Sequence, residues 1–147
     1  MRNWQNGRLW WNDPDCVLLT GALSDDEFRF HASLVEATGG MLLAGDDLTK
    51  LAPKRLAMLR KLVPSSGVAA RFEDERFELG VQELDGSTRY VLLNWTDAPL
   101  TRRVPLREPS ELRDFWSDIE LGTFEREFEL SAPPHGARIV VVEPAAH

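Results

Sequence analysis

The sequence predicts an α+β chain of two unlike parts. Residues 1–64 read as a strand–helix–strand–helix segment, and residues 65–147 as an antiparallel β-sandwich. Three observations carry this reading. The hydrophobic pattern changes near Pro64, from helical spacing before it to alternation with period two after it. The second part breaks into six or seven short strands separated by frequent turn signals. The first part holds only one or two βα units, too few to cover both faces of a parallel strand. It therefore reads as the tail end of a larger α/β domain.

The elements follow in order. Ser24 and Glu27 have the spacing of a capping box, so a helix is expected over 24–38. Asp25 and Asp26 place negative charge in its first turn, where the helix dipole favours it. Phe28, His31, Ala32, Val35 and Thr38 form its apolar stripe, and Gly39-Gly40 ends it. Met41–Ala44 lacks polar alternation and is expected to be a short buried strand. Gly45-Asp46-Asp47 is a turn. Pro53 suits the first position of a second helix over 53–62, with Leu56, Leu59, Leu62 and Val63 as its stripe. Pro64-Ser65-Ser66-Gly67 stops it.

Beyond this linker, Phe77, Leu79 and Val81 alternate with Glu78, Gly80 and Gln82. Asp85-Gly86 marks a hairpin, and Tyr90–Trp95 is the strand that follows. Prolines at both ends of Pro99–Pro105 suit an edge strand, because proline cannot donate to a ladder. Further strands are expected at Arg113–Ile119, across 124–130, and at Arg138–Glu143 after the Pro133-Pro134-His135-Gly136 turn. Trp95 and Trp116 are expected in the sandwich core.

Composition excludes several functions. With 17 Lys+Arg against 24 Asp+Glu, the net charge is −7, which argues against a nucleic-acid partner and against a surface held by anionic lipid. No apolar run approaches the ~20 residues of a membrane span. Met1–Asn12 has no apolar stretch of the secretory kind, which points to the cytoplasm unless the true start lies upstream. Cys16 is the single cysteine and the three histidines lie far apart, so no disulfide and no metal site is expected.

The segment richest in chemistry is Trp10-Trp11-Asn12-Asp13-Pro14-Asp15-Cys16. An aromatic face can stack on a sugar ring, and carboxylates accept hydrogen bonds from its hydroxyls. A tight Asp-Pro turn with core tryptophans is the structural alternative. Asp46 and Asp47 form a second carboxylate pair, in the turn after the short strand. His31 reads as a packed histidine, and Cys16 has no nearby histidine to make it a nucleophile.

Trp11–Asp15 resembles the W-N-D-P-D signature of the melibiase-type α-galactosidases, glycoside hydrolase families 27 and 36. Ser24–Glu27 with His31–Leu34, Gly39–Leu43 with Asp46–Leu48, and Leu51–Arg55 continuing to Pro64 resemble, in order, their penultimate barrel helix, last barrel strand and last barrel helix. The β-rich remainder is similar to their C-terminal sandwich. The resemblance implies that residues 1–64 are the C-terminal piece of a (β/α)₈ catalytic barrel and residues 65–147 the sandwich. It implies substrate-binding positions at Asp15, Cys16 and Trp11, the last also shaping the turn, a packing and capping loop at Asp46-Asp47, and chemistry without a cofactor. It also implies that both catalytic carboxylates of the retaining mechanism, about 5–5.5 Å apart, lie on earlier strands. No Asp or Glu precedes Asp13, and no Lys-x-Asp occurs anywhere. No catalytic residue is therefore assigned in this chain.

Three functions follow as expectations. The first is a C-terminal fragment of an α-galactosidase-like hydrolase, inactive alone, whose parent binds α-galactosides. The second is a sandwich that binds carbohydrate without cleaving it. The third is a docking subunit whose apolar faces complete a barrel supplied by another chain.

Overall fold

The computed structural model describes residues 3–145. A 3₁₀ turn over Asn3–Gln5 leads to β1 (Cys16–Val17), α1 (Asp25–Thr38), β2 (Leu43–Ala44), a 3₁₀ turn over Leu48–Lys50, and α2 (Pro53–Leu62). Eight strands follow: β3 (Arg71–Phe72), β4 (Leu79–Leu84), β5 (Ser87–Leu93), β6 (Leu100–Pro105), β7 (Ser110–Asp114), β8 (Glu120–Phe124), β9 (Glu127–Ala132) and β10 (Ala137–Pro144). Strands β1 and β2 pair in parallel, with Cys16 opposite Leu43. A six-stranded antiparallel sheet runs β3-β4-β5-β10-β7-β8, and β6 pairs with β9 as a separate ribbon.

The capping box forms as expected. The Ser24 hydroxyl accepts from Glu27 N at 3.2 Å, and Glu27 Oε2 accepts from Ser24 N at 2.7 Å. Gly39 takes the left-handed conformation that ends α1.

The six-stranded sheet is buried on both faces. Val91 and Leu93 of β5 and Ile139 and Val141 of β10 pack with Ala32 and Val35 of α1. Their neighbours in sequence, Leu92, Val140 and Val142, point the other way and pack with Val104, Phe128 and Leu130 of the ribbon. Side chains alternate across a strand, so a central strand covered on both faces reads as a continuous apolar run. That accounts for Tyr90–Leu93 and Ile139–Val142.

Burial on both faces also changes the reading of β4. Its polar face is the deeper one: Glu78, Gly80 and Gln82 are buried, while Phe77, Leu79 and Val81 are only partly so. Gln82 Nε2 donates to the Glu36 carbonyl at 3.1 Å and the Val68 carbonyl at 2.8 Å. Glu78 is ion-paired with Arg102. Gly80 lies under the Phe72 ring, which a Cβ would meet at 2.7 Å.

Several local expectations are corrected. Strand β7 ends at Asp114 rather than continuing to Ile119. The Asp114 carboxylate accepts from Trp116 N at 3.1 Å and Ser117 N at 2.9 Å and folds the chain into a turn. The stretch 124–130 is two strands in different sheets, because Glu125-Arg126 turns the chain between β8 and β9. In Met41–Ala44 only Leu42 packs against the core; Met41, Leu43 and Ala44 are exposed rather than buried, since β2 has β1 as its one strand neighbour among the described residues and Leu43 remains 47% accessible. Val63 falls off the α2 stripe into solvent. Trp95 is 44% exposed rather than in the core: its indole nitrogen donates to the Phe77 carbonyl, and its ring stands edge-on to Phe30. Among the described residues, no helix is long and apolar enough to cross a membrane.

Candidate functional site

The Trp11–Asp15 turn is held from below by three asparagines. Asn3 Nδ2 donates to the Ala37 carbonyl at 3.1 Å, and Asn6 Nδ2 to the Gly39 carbonyl at 3.0 Å. Asn12 Nδ2 donates to the Thr38 carbonyl at 3.2 Å, and its amide N–H donates to Asn6 Oδ1 at 2.8 Å. Helix α1 ends with unpaired carbonyls, and these side chains satisfy several of them. Gly40 allows the contact: a Cβ there would lie 2.0 Å from the Asn12 carbonyl oxygen, which accepts from Met41 N at 2.7 Å.

Within the turn, Asp13 Oδ1 accepts from Asp15 N at 3.0 Å, and Asp15 Oδ1 from Cys16 N at 2.7 Å. Asp15 sits at φ 66°, a left-handed conformation that aspartate tolerates because its short polar side chain bonds locally. Trp11 is 61% exposed and Trp10 is 48% exposed. They line an open cleft of about 400 Å³ together with Asn12, Asp13, Pro14 and Thr38.

Trp11 thus lies in the cleft, while Asp15 and Cys16 lie outside its lining. Cys16 starts β1, and its Sγ packs where a Cβ on Gly45 would meet it at 2.6 Å. Loss of solvent, with the Asp15 carboxylate next in importance, pushes its thiol above the usual value. A thiol so placed is a poor nucleophile.

The other acidic pair is structural. Asp46 Oδ2 accepts from Leu19 N at 2.5 Å, and its other oxygen accepts from the Thr20 hydroxyl. Asp47 caps the Leu48–Lys50 turn by accepting from Thr49 N at 3.1 Å. Hydrogen bonds from Thr49 hold its carboxyl below the usual range, with Lys50 adding to them. His31 Nε2 faces Leu18 N at 3.4 Å, beside β1. His135 pairs with Asp97 at 2.7 Å at the far turn. Among the described residues, no three His, Cys, Asp or Glu side chains converge as a metal site would require.

No family model matches the chain, and no curated protein matches it by sequence. Solved structures do match. The chain superposes on α-galactosidase I from Mortierella vinacea with a TM-score of 0.80 at 20% identity, covering 98% of this chain and 42% of that one. A family 27 β-L-arabinopyranosidase from Geobacillus stearothermophilus gives 0.80 at 20% identity, over 99% and 40%. The α-galactosidase from Saccharomyces cerevisiae with raffinose gives 0.74 at 15% identity, over 97% and 49%.

The fold is that of the C-terminal portion of melibiase-type α-galactosidases. It combines a partial (β/α) barrel segment with an antiparallel β-sandwich, and the chain spans less than half the length of the enzymes it matches.

Two features of the site are not apparent from motif reading. One is the asparagine clamp, whose signal is the repeated Asn at 3, 6 and 12 in a Trp-rich segment. The other is the buried link between α1 and β5, where Arg89 Nη1 meets Glu36 Oε1 at 2.5 Å and the guanidinium stacks over Phe115. Burial lifts the Glu36 carboxyl above the usual range, despite the opposing charge of Arg89.

Proposed function

We propose that this chain is the C-terminal portion of an α-galactosidase-like glycoside hydrolase. Residues 1–64 close one side of the catalytic barrel, and residues 65–147 form the sandwich that supports it. The observation that carries this is the conjunction of the Trp11–Asp15 turn with a two-stranded parallel sheet that, among the described residues, has no further strand on either outer edge. A parallel pair of two-residue strands cannot form a domain by itself. Leu18 and Leu43 stand exposed beside it, as a strand awaiting neighbours would leave them. Superposition of nearly the whole chain on α-galactosidases supports the same reading.

In this reading the parent cleaves terminal α-galactosides by the two-carboxylate route, with both carboxylates supplied by earlier strands. In the same reading this chain's own residues do the supporting work. Asp13 and Asp15 present carboxylate oxygens at the mouth of β1, and the exposed Trp10 and Trp11 offer apolar faces beside them. Asp15 is assigned the role of accepting hydrogen bonds from the sugar or orienting the acid/base. Cys16, next to Asp15 in the chain, and Trp11 are assigned to substrate contact in the pocket that the remaining barrel completes. The partner implied is the remaining barrel.

The test has two arms. The purified chain is assayed on an aryl α-galactoside, where no turnover is expected; turnover abolished by Asp15→Asn would contradict the reading. The DNA upstream of Met1 is translated without assuming a start codon. Barrel strands ending in Lys-x-Asp, with a second acidic residue further on, are expected. An unrelated gene behind a stop codon would remove the parent enzyme from the account.

The sandwich-only binding reading has one observation in its favour, the half-exposed Trp95. Quenching of Trp95 fluorescence by sugar, absent in Trp95→Phe, distinguishes it.

A further inference from the structure

We infer that the cleft between α1, α2 and the six-stranded sheet is a binding site for a small acidic sugar, separate from the Trp11–Asp15 turn. This goes beyond the proposed function and does not depend on it. The cleft has a volume of about 480 Å³ and lies where the first and second parts of the chain meet. Arg29, Lys54, Lys61 and Arg138 all line it, against one carboxylate, Asp114. Such a concentration of cations is unusual on a chain of net charge −7.

Each of the four is ion-paired, but the two aspartates that hold the lysines are each shared with an arginine outside the cleft lining. Asp25 is bound by both Lys54 and Arg55, and Asp118 by both Lys61 and Arg113. Arg29 pairs with Asp26 at 3.5 Å, and Arg138 with Asp114 at 2.9 Å. Six cations therefore face four carboxylates, a local surplus of two. Removing either lysine leaves its aspartate still paired with an arginine. The lysines are thus free to turn toward a ligand at little structural cost, since exposed pairs contribute only about 0–1 kcal/mol.

The rest of the lining suits a sugar ring rather than a bare anion. Trp116 is half-buried, and its orientation is fixed because its indole N–H donates to Ser33 Oγ at 3.0 Å. A fixed aromatic ring is a ready platform for the apolar face of a pyranose. Met58 extends the apolar wall; the Ser117 hydroxyl donates to Asp114 Oδ1 at 2.8 Å and the Ser131 hydroxyl bonds to that of Thr101 at 2.7 Å, and each oxygen keeps accepting capacity toward ligand hydroxyls. The ligand class is a monosaccharide carrying a carboxylate or a phosphate.

The full chain is titrated calorimetrically with galacturonate, galactose 6-phosphate, galactose and inorganic phosphate at low and high salt. Saturable binding is expected for at least one acidic sugar, weakened by salt, and at least tenfold tighter than for galactose or inorganic phosphate. Which acid binds tells whether the charge is carboxylate or phosphate. Binding should fall at least tenfold in Lys54→Gln/Lys61→Gln. It should fall likewise in Ala57→Glu, which puts a carboxylate on the exposed face of α2 lining the cleft. Circular dichroism and thermal melting check that both variants fold. No saturable binding by either acid, equal binding of galactose or phosphate, or binding that survives in both folded variants overturns the inference.

Discussion

The central sheet is covered on both faces, whereas the β1–β2 pair is covered on one: Val17 is buried in the cluster that α1 shares with the sheet, but the residues beside it are not. Val91, Leu93, Ile139 and Val141 are buried, whereas Leu43 and Leu18 stand in solvent. Composition does not separate them; neighbours do. Strand β10 lies between β5 and β7, with α1 over one face and the β6–β9 ribbon over the other. Among the described residues, strand β2 has one partner of two residues, and both of its own residues are exposed. An apolar run states that a strand needs burial, and only the surrounding chain decides whether it receives it.

That contrast can be tested by substitution. The largest effect is expected where α1 is joined to the central sheet. Glu36→Ala leaves the Arg89 guanidinium without its counterion at the α1–β5 contact, at an expected cost of about 3–5 kcal/mol in urea unfolding. Leu93→Ala removes a fully buried side chain between α1 and the sheet, and about 2–5 kcal/mol should be lost. Gly40→Ala drives a methyl group into the Asn12 carbonyl. It should cost about 1–3 kcal/mol and loosen the Trp11–Asp15 turn, read as a change in tryptophan fluorescence. Leu43→Ala, the same kind of truncation as Leu93→Ala, should change stability by less than about 0.5 kcal/mol. Equal losses from the two leucines would erase the distinction between the regions.

Much of this was legible in the sequence. The capping box at Ser24, the Gly39-Gly40 stop, Pro53 at the head of α2 and the Asp85-Gly86 hairpin are local signals, and each forms where its chemistry requires. The errors came where tertiary context overrides local pattern. Arg113–Ile119 has strand-like residues, but Asp114 recruits two backbone amides and turns the chain. Strands β8 and β9 share one alternation, which carries no information that they belong to different sheets. Gln82 and Glu78 look like a solvent face until α1, the 65–70 segment and Arg102 cover them. At the site, the Trp11–Asp15 motif announced itself, but the asparagines that hold it act across more than 25 residues of sequence. Such partners have no local signature.

The central claim is that the first part of the chain presents an unfinished parallel sheet on a completed sandwich. Native-state hydrogen exchange tests it most directly, because amides in well-packed elements exchange only by large-scale opening. The account predicts that β5 and β10 amides exchange at the rate of global unfolding, while those of β1 and β2 exchange orders of magnitude faster. Protection of β1 and β2 equal to that of β10 would contradict it.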